Sequence, residues 1–356
     1  MSRARFTNRS ASPGRLRTSG ASLLVVGIRR VFRLLAPRAR GSSLARGSVR
    51  ICETGSSPRV GDALLWLASG LATLLVLAIL AVILFDVVIH GAPRLTLGFL
   101  TQTPREGMTA GGIFPAIFGT LALVILMTLA ALPAGVATAI YQHEYANPTA
   151  LATRLVRTAV ANLAGVPSIV FGLFGLGFFV QFAGGGIDKL FFGGEKVYGQ
   201  PALLWAALTM AVLTLPVVIV ATEEALAAVP SDVRLASAAL GATKLQTITA
   251  VVLPQAVPGI LTGAILAVSR GAGEVAPILF TGAAYFLPSL PRSLHDQFMQ
   301  LGYHVYVLAT QSPDVDATRP LLYATVLVLL LLTLALNACA MIVRSRMRRR
   351  FASHHA

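Results

Sequence analysis

Apolar residues along this chain gather into six long runs, at positions 63–89, 113–141, 158–182, 202–222, 258–286 and 320–343. Each approaches or exceeds the roughly 20 residues that cross about 30 Å of hydrocarbon as a helix. The pattern predicts an all-α polytopic membrane protein with six transmembrane helices. The third run is interrupted by Gly165, Pro167, Gly172, Gly175 and Gly177. A bilayer tolerates such breaks where neighbouring helices cover the freed backbone groups, so this segment is expected to face protein.

Composition agrees. Of 356 residues, 55% are hydrophobic and 12% charged, with a mean hydropathy of +0.75, too apolar for a water-soluble fold of this length. The net charge of +15 is segregated: thirteen Arg precede residue 62, and Arg344, Arg346, Arg348, Arg349 and Arg350 crowd the end. Basic ends around an apolar middle argue against nucleic acid, whose binders present positive charge on a folded face. They fit membrane topology instead. With the N-terminus inside, 22 basic residues fall on the cytoplasmic side and 6 outside, leaving Arg270 within a span. Both termini are therefore expected in the cytoplasm of a multi-pass inner-membrane protein.

Three regions follow: a basic extension at 1–60, a transmembrane domain at 61–345 and a basic tail at 346–356. The extension is Arg- and Ser-rich, and its segment 23–35 (LLVVGIRRVFRLL) suits either an interfacial helix or a plain basic tail.

Catalytic constellations are missing from the sequence. No Gly-Lys pair occurs, so there is no P-loop, and the pair His143-Glu144 has Asn147 where a second zinc-binding His would fall. No G-x-S-x-G elbow is present. Cys52 and Cys339 stand far apart without companions at metal-ligand spacing. Metal, cofactor and catalytic residues are accordingly not expected. A conduit is favoured over an enzyme.

The loop between spans four and five, 223–257, is the most patterned polar stretch. Pro230 and Ser231 open a short helix, with Ser231 as its cap. Gly241 can take the left-handed conformation that ends it, and Thr243 can cap a second helix. Leu245, Ile248, Val251 and Val252 give that second helix an apolar face until Pro254 leads into span five. Taken alone, this is either an amphipathic loop lying on its own membrane domain or a docking surface.

Within span five, Arg270 and Glu274 stand four apart and share a helical face. Ionisable groups at membrane depth usually face a polar path. The pair reads either as a structural ion pair or as part of a path in which Arg270 offers five donors to an oxyanion and Glu274 steadies the guanidinium. Gly259 and Gly263 form a small-xxx-small face for close helix approach. Gly271, Gly273 and Pro277 flank the pair as packing or hinge positions, with a kink expected at Pro277.

The spacing Ala236, Ser237, three residues, Gly241, nine residues, Val251, Val252, Leu253, Pro254 resembles the "EAA" loop of ABC importer permeases. LAGVPSIVFGLFGLGFF at 163–179 and SRGAGEVAPILFTG at 269–282 are similar to the permeases of phosphate importers, and to their A-type subunit more than their C-type. The resemblance spans about 63–345. It implies the type I ABC importer permease (MetI-like) fold and translocation of inorganic phosphate. It implies three kinds of partner besides phosphate and lipid: a C-type permease subunit, two copies of an ATP-binding subunit and an extracytoplasmic phosphate-binding protein. It assigns Arg234, Ala236, Ser237, Gly241, Leu253 and Pro254 to ATPase coupling, and carries over Pro167 and Ser168 as path or packing residues that would join Arg270 and Glu274 along a substrate path. Leu235 stands where the family motif opens with an acid. Sulfate or molybdate is the alternative cargo; a channel or enzyme without an ATPase is the alternative class.

Overall fold

The computed structural model describes residues 60–312 and 314–352, so the 23–35 segment lies outside the described residues. Helix α1 is Val60–Gly91. It is followed by a short α2 (Leu97–Thr101) and a small antiparallel hairpin, β1 (Pro104–Arg105) with β2 (Ala110–Gly111), in which Pro104 faces Gly111. Helix α3, Phe114–Ile140, runs into a wide turn at Tyr141–Tyr145, and the amphipathic α4, Leu151–Leu163, follows. Next, α5 (Ser168–Phe174) continues through the wide-turned stretch Gly175–Gly184 into α6 (Gly185–Phe191). After α7 (Leu203–Ala227) come α8 (Ser231–Ala239) and α9 (Lys244–Gln246). The latter runs through the wide turn Thr247–Val252 into α10 (Leu253–Gly273). Helices α11 (Leu301–Thr310) and α12 (Val315–Ala352) complete the chain.

Six of these helical stretches are long and apolar enough to cross a membrane. Two differ from the sequence expectation. The third span starts at Ser168 instead of 158 and extends to Phe191. Pro167, with its fixed φ, sits at the N-cap and separates it from α4. Arg154 and Arg157 keep α4 amphipathic, and its last residues, 158–163, are a part of the predicted run that falls outside the span. The fifth span stops at Gly273, and residues 274–300 are irregular apart from turns and a bridge between Ala283 and Phe298. Weak helix formers at Gly271 and Gly273, followed by Pro277 with no N–H to give, end the helix there. The expected kink at Pro277 is therefore a helix end.

Helix α7 is the most enclosed span, lying against α3 on one side and α10 on the other. Small residues set those distances. A Cβ at Gly135 would strike Val218, and one at Gly259 or Gly263 would strike Ala225 or Ala221 of α7. Nothing lies within 4 Å of where a Cβ would stand at Gly273, so close approach does not require glycine there. The Asp188 carboxylate accepts backbone N–H bonds from Val197, Tyr198 and Gly199 at 3.1, 2.7 and 2.6 Å. Trp205 Nε1 donates to the Tyr198 carbonyl at 2.7 Å. These contacts tie the end of α6 to the start of α7.

Helix α11 packs on α3, with Leu301 N–H donating to Thr120 Oγ1 at 2.9 Å. Its His304 is 2% exposed, and Nδ1 has no hydrogen-bond partner among the described residues. Tyr303 and Tyr306 stack with centroids 6.2 Å apart on this helix.

Two stability tests follow. Gly263→Val should lower stability by about 1–3 kcal/mol through overpacking against Ala221, read as a fall in the thermal midpoint of the detergent-solubilised protein, while Gly273→Ala should leave it unchanged. Burial pushes the His304 imidazole down to about 4 from the ordinary 6.5. The unfolded chain then binds more protons at low pH, so this contribution is complete above pH 6.5 and is lost as pH falls toward 4. The loss is about 3 kcal/mol, and His304→Gln should flatten the dependence of the thermal midpoint on pH between 7 and 4.

Candidate functional site

Two places in the fold carry unusual chemistry. The first is the loop of α8 and α9 on the basic side. Its base is a buried cluster of Ala225, Leu226, Val229, Val252, Ala256 and Ile260, against which Leu132, Val136, Ile140 and Leu253 pack. Gly241 adopts φ +82°, the left-handed turn between the two helices. Thr243 accepts from Gln246 N–H, and the Gln246 side chain accepts from Thr243 N–H at 2.8 Å, a complete capping box. Ser231, expected as the cap of α8, instead occupies its first turn; Pro230 stands at the cap without a side-chain bond. Leu245, expected on the apolar inner face, is 63% exposed, whereas Ile248 and Val252 are buried.

The loop's outer surface carries three large apolar side chains among exposed polar residues such as Asp232 and Lys244. Leu235, Leu240 and Leu245 are exposed beside exposed Ala236, and Ser237 is half-buried, sharing a hydrogen bond with Thr247 at 2.9 Å. Pro254 is half-buried at the start of α10. Arg234 turns inward: Nη1 donates to the Val229 carbonyl at 2.6 Å, and Nη2 to the Leu226 carbonyl at 2.8 Å and Glu144 Oε1 at 3.1 Å. Nothing in the local sequence joins Arg234 to Glu144, 90 residues away. The signal available was a carboxylate at the basic-side end of span two, considered above only as half of a zinc pair.

The second place is the end of α10. Helix α3 has 27 residues, about 40 Å at 1.5 Å per residue, and Met127 is its midpoint. A Cβ at Gly271 would collide with that Met127 side chain, so the neighbouring Arg270 lies near mid-depth. Glu274 takes an extended conformation as the C-cap, so the two charges are not on one helical face as expected. They pair nonetheless, Arg270 Nε to Glu274 Oε1 at 3.6 Å, with the side chains 43% and 24% exposed. A cation in the last turn also suits the partial negative charge of a helix C-terminus. Immediately before Arg270, Ser269 hydrogen-bonds Asn337 of α12. Asn337 was overlooked in the sequence, although an amide inside the run LLLLTLALNACAM is itself a signal.

From Glu274 the chain runs irregularly to the N-terminal end of α7, where Ala202 N–H donates to Thr281 O and Leu203 N–H to Asp296 O, both at 2.9 Å. The Asp296 carboxylate accepts N–H bonds from Arg292 and Ser293, which hold it below the ordinary carboxylate range. Pro277 is buried, and a Cβ at Gly172 would meet Ala276 and Pro277 at 3.0 Å. Pro167 and Ser168 precede Gly172 by about one turn at the start of α5, with Pro167 exposed and Ser168 half-buried. Span three thus leans on the irregular segment through Gly172, about one turn from its Pro167-Ser168 end.

A family described as the inner membrane component of binding-protein-dependent transport systems matches residues 131–352. The probable ABC transporter permease protein YqgI of Bacillus subtilis is 32% identical over 261 residues, covering 70% of this chain and 84% of its own. The phosphate transport system permease protein PstA of Yersinia pestis is 34% identical over 267 residues, covering 73% of this chain and 82% of its own. Among solved structures, one chain of a bacterial alginate ABC transporter in complex with an alginate pentasaccharide-bound periplasmic protein has a TM-score of 0.58 at 17% identity. It covers 79% of this chain and 93% of that one, a likeness of fold.

Because no atom lies within 4 Å of a Cβ built at Gly241, substitution there tests backbone conformation alone. Gly241→Ala should cost about 1–2 kcal/mol locally. It should be read as faster limited proteolysis between α8 and α9 with the membrane helices intact.

Proposed function

The chain belongs to the inner membrane components of binding-protein-dependent transport systems, and we propose from that premise that it is the A-type permease subunit of a phosphate importer. It is a transport subunit and not an enzyme. In this reading the basic side, with both termini, is cytoplasmic. A C-type permease subunit completes the path, two ATP-binding subunits dock beneath, and a phosphate-binding protein delivers cargo from outside.

The observation that carries the reading is the end of α10 at mid-depth. Irregular backbone at membrane depth persists only where protein covers it or where it lines a polar path, and broken helices are where transporters build such paths. The Ile278 and Thr281 side of the segment is fully buried, while Arg270 and Glu274 stand on the uncovered side. A guanidinium there presents paired N–H donors to two phosphate oxygens, and its charge offsets the cost of dehydrating the anion. At 3.6 Å, Glu274 restrains Arg270 and competes with the anion for it. Competition keeps binding weak, and a transporter must release what it binds.

The exposed apolar surface of the 223–257 loop supports ATPase docking. Leu235 replaces the family's acid with an apolar contact, so at that point this subunit would meet its ATPase by burial of hydrocarbon. ATP-driven displacement of the loop then shifts the balance between inward- and outward-open states of the same path.

Arg270→Ala should reduce ATP-dependent uptake of inorganic phosphate into vesicles by about thirtyfold or more, a cost of about 2 kcal/mol for one charged hydrogen-bonding group, while the complex still assembles. Surviving transport would remove Arg270 from the path. Uptake inhibited by sulfate but not by excess unlabelled phosphate would overturn the choice of cargo.

A further inference from the structure

The resemblance to the "EAA" loop assigns Arg234 to the surface that meets the ATPase, yet its guanidinium is turned into the membrane domain. All three of its acceptors belong there: the carbonyls of Leu226 and Val229 at the end of α7, and the carboxylate of Glu144 beyond α3. The Glu144 side chain is 11% exposed. The other flank of the loop meets the next residue, with Lys244 Nζ 4.8 Å from the Tyr145 ring centroid. Ser237 and Thr247 join the two flanks. Both helices of the loop are thus fastened to one another and to neighbouring residues of the turn Tyr141–Tyr145. A third helix touches the same turn, since Arg157 of α4 donates to the Gln142 carbonyl at 3.2 Å.

That turn is wide: Ala146 N–H reaches back to the Tyr141 carbonyl at 2.8 Å. Turns of this kind insert a residue into a helix and recur at functional sites. Beyond it, α3 runs to Met127, against which Gly271 and hence Arg270 are set. A continuous contact chain therefore joins the loop to mid-depth.

We infer that Arg234 and Glu144 form an internal latch, with Arg234 a positioning residue that makes the turn Tyr141–Tyr145 the receiver of loop movement. The inference rests on the reading of this loop as the ATPase docking site and adds how its displacement leaves the loop. A charge-assisted bond between a rigid guanidinium fork and a shielded carboxylate resists separation as well as compression. Apolar packing between the loop end and α3 also resists separation, but it is non-directional. The latch therefore adds a fixed direction and register to the movement that α8 passes to the turn.

The test uses the complete importer in proteoliposomes, with inorganic phosphate as cargo, and reads phosphate imported per ATP hydrolysed. Glu144→Gln and Arg234→Gln should each lower that ratio by at least about fivefold, with ATP-binding subunits co-purifying at wild-type levels. The double variant should be no worse than the worse single one, because both remove one shared interaction. An unchanged ratio in Glu144→Gln would overturn the latch, as would a double loss equal to the product of the single losses. Loss of ATP-binding subunits from Arg234→Gln alone, with Glu144→Gln normal in ratio, would place Arg234 on the docking surface instead. If Arg234→Gln fails to assemble, Glu144→Gln still decides, since it leaves both carbonyl bonds of the guanidinium in place. A wild-type complex that imports no phosphate would refute the underlying reading separately.

Discussion

A peptide group released from a helix inside hydrocarbon has no water to turn to, so its partner must come from the protein. The end of α10 at Gly273 brings this constraint into the middle of the fold. Beyond it, the Ile278 carbonyl accepts N–H bonds from Thr281, Gly282 and Ala283, and the Thr281 carbonyl takes the Ala202 N–H. Thr281 Oγ1 returns to the Pro277 carbonyl at 3.0 Å. The enclosed position of α7 and the approach of span three through Gly172 and Gly175 both serve to cover this stretch.

The same break explains the placement of charge. A continuous helix would have projected Arg270 and Glu274 together from one face toward whatever neighbour lay there. Ending the helix between them swings Glu274 into an extended cap and leaves the pair on the uncovered side of the irregular segment. Arg270 then sits among the terminal carbonyls of α10, which favour a cation without neutralising it. In the proposed path this gives an attractive but shallow site for an anion.

Glycines along α10 divide by role. Gly259 and Gly263 bring α10 against Ala225 and Ala221, and Gly271 admits Met127. These contacts connect the loop end of α10 to its mid-depth end through α7 and α3, so two regions separated by about half of a membrane's thickness share one packed body. Burial at Val252, Leu226 and Ile260 holds the loop end of that body. The Arg234–Glu144 bond adds a polar tie where apolar packing gives way to the aqueous surface.

Run length and composition determined the six spans, because crossing hydrocarbon is decided by about 20 consecutive residues whatever they later touch. Local chemistry likewise determined the left-handed turn at Gly241 and the Thr243 cap, whose partners lie within three residues. Helix ends inside the membrane were less legible. Apolar residues continue past Gly273, and hydropathy cannot distinguish a helix from irregular chain that neighbours have covered. Only the tertiary structure put Met127 beside Gly271, Ser269 on Asn337 and Arg234 on Glu144. Those pairings depend on the distances between packed helices, and no periodicity within a single segment encodes them.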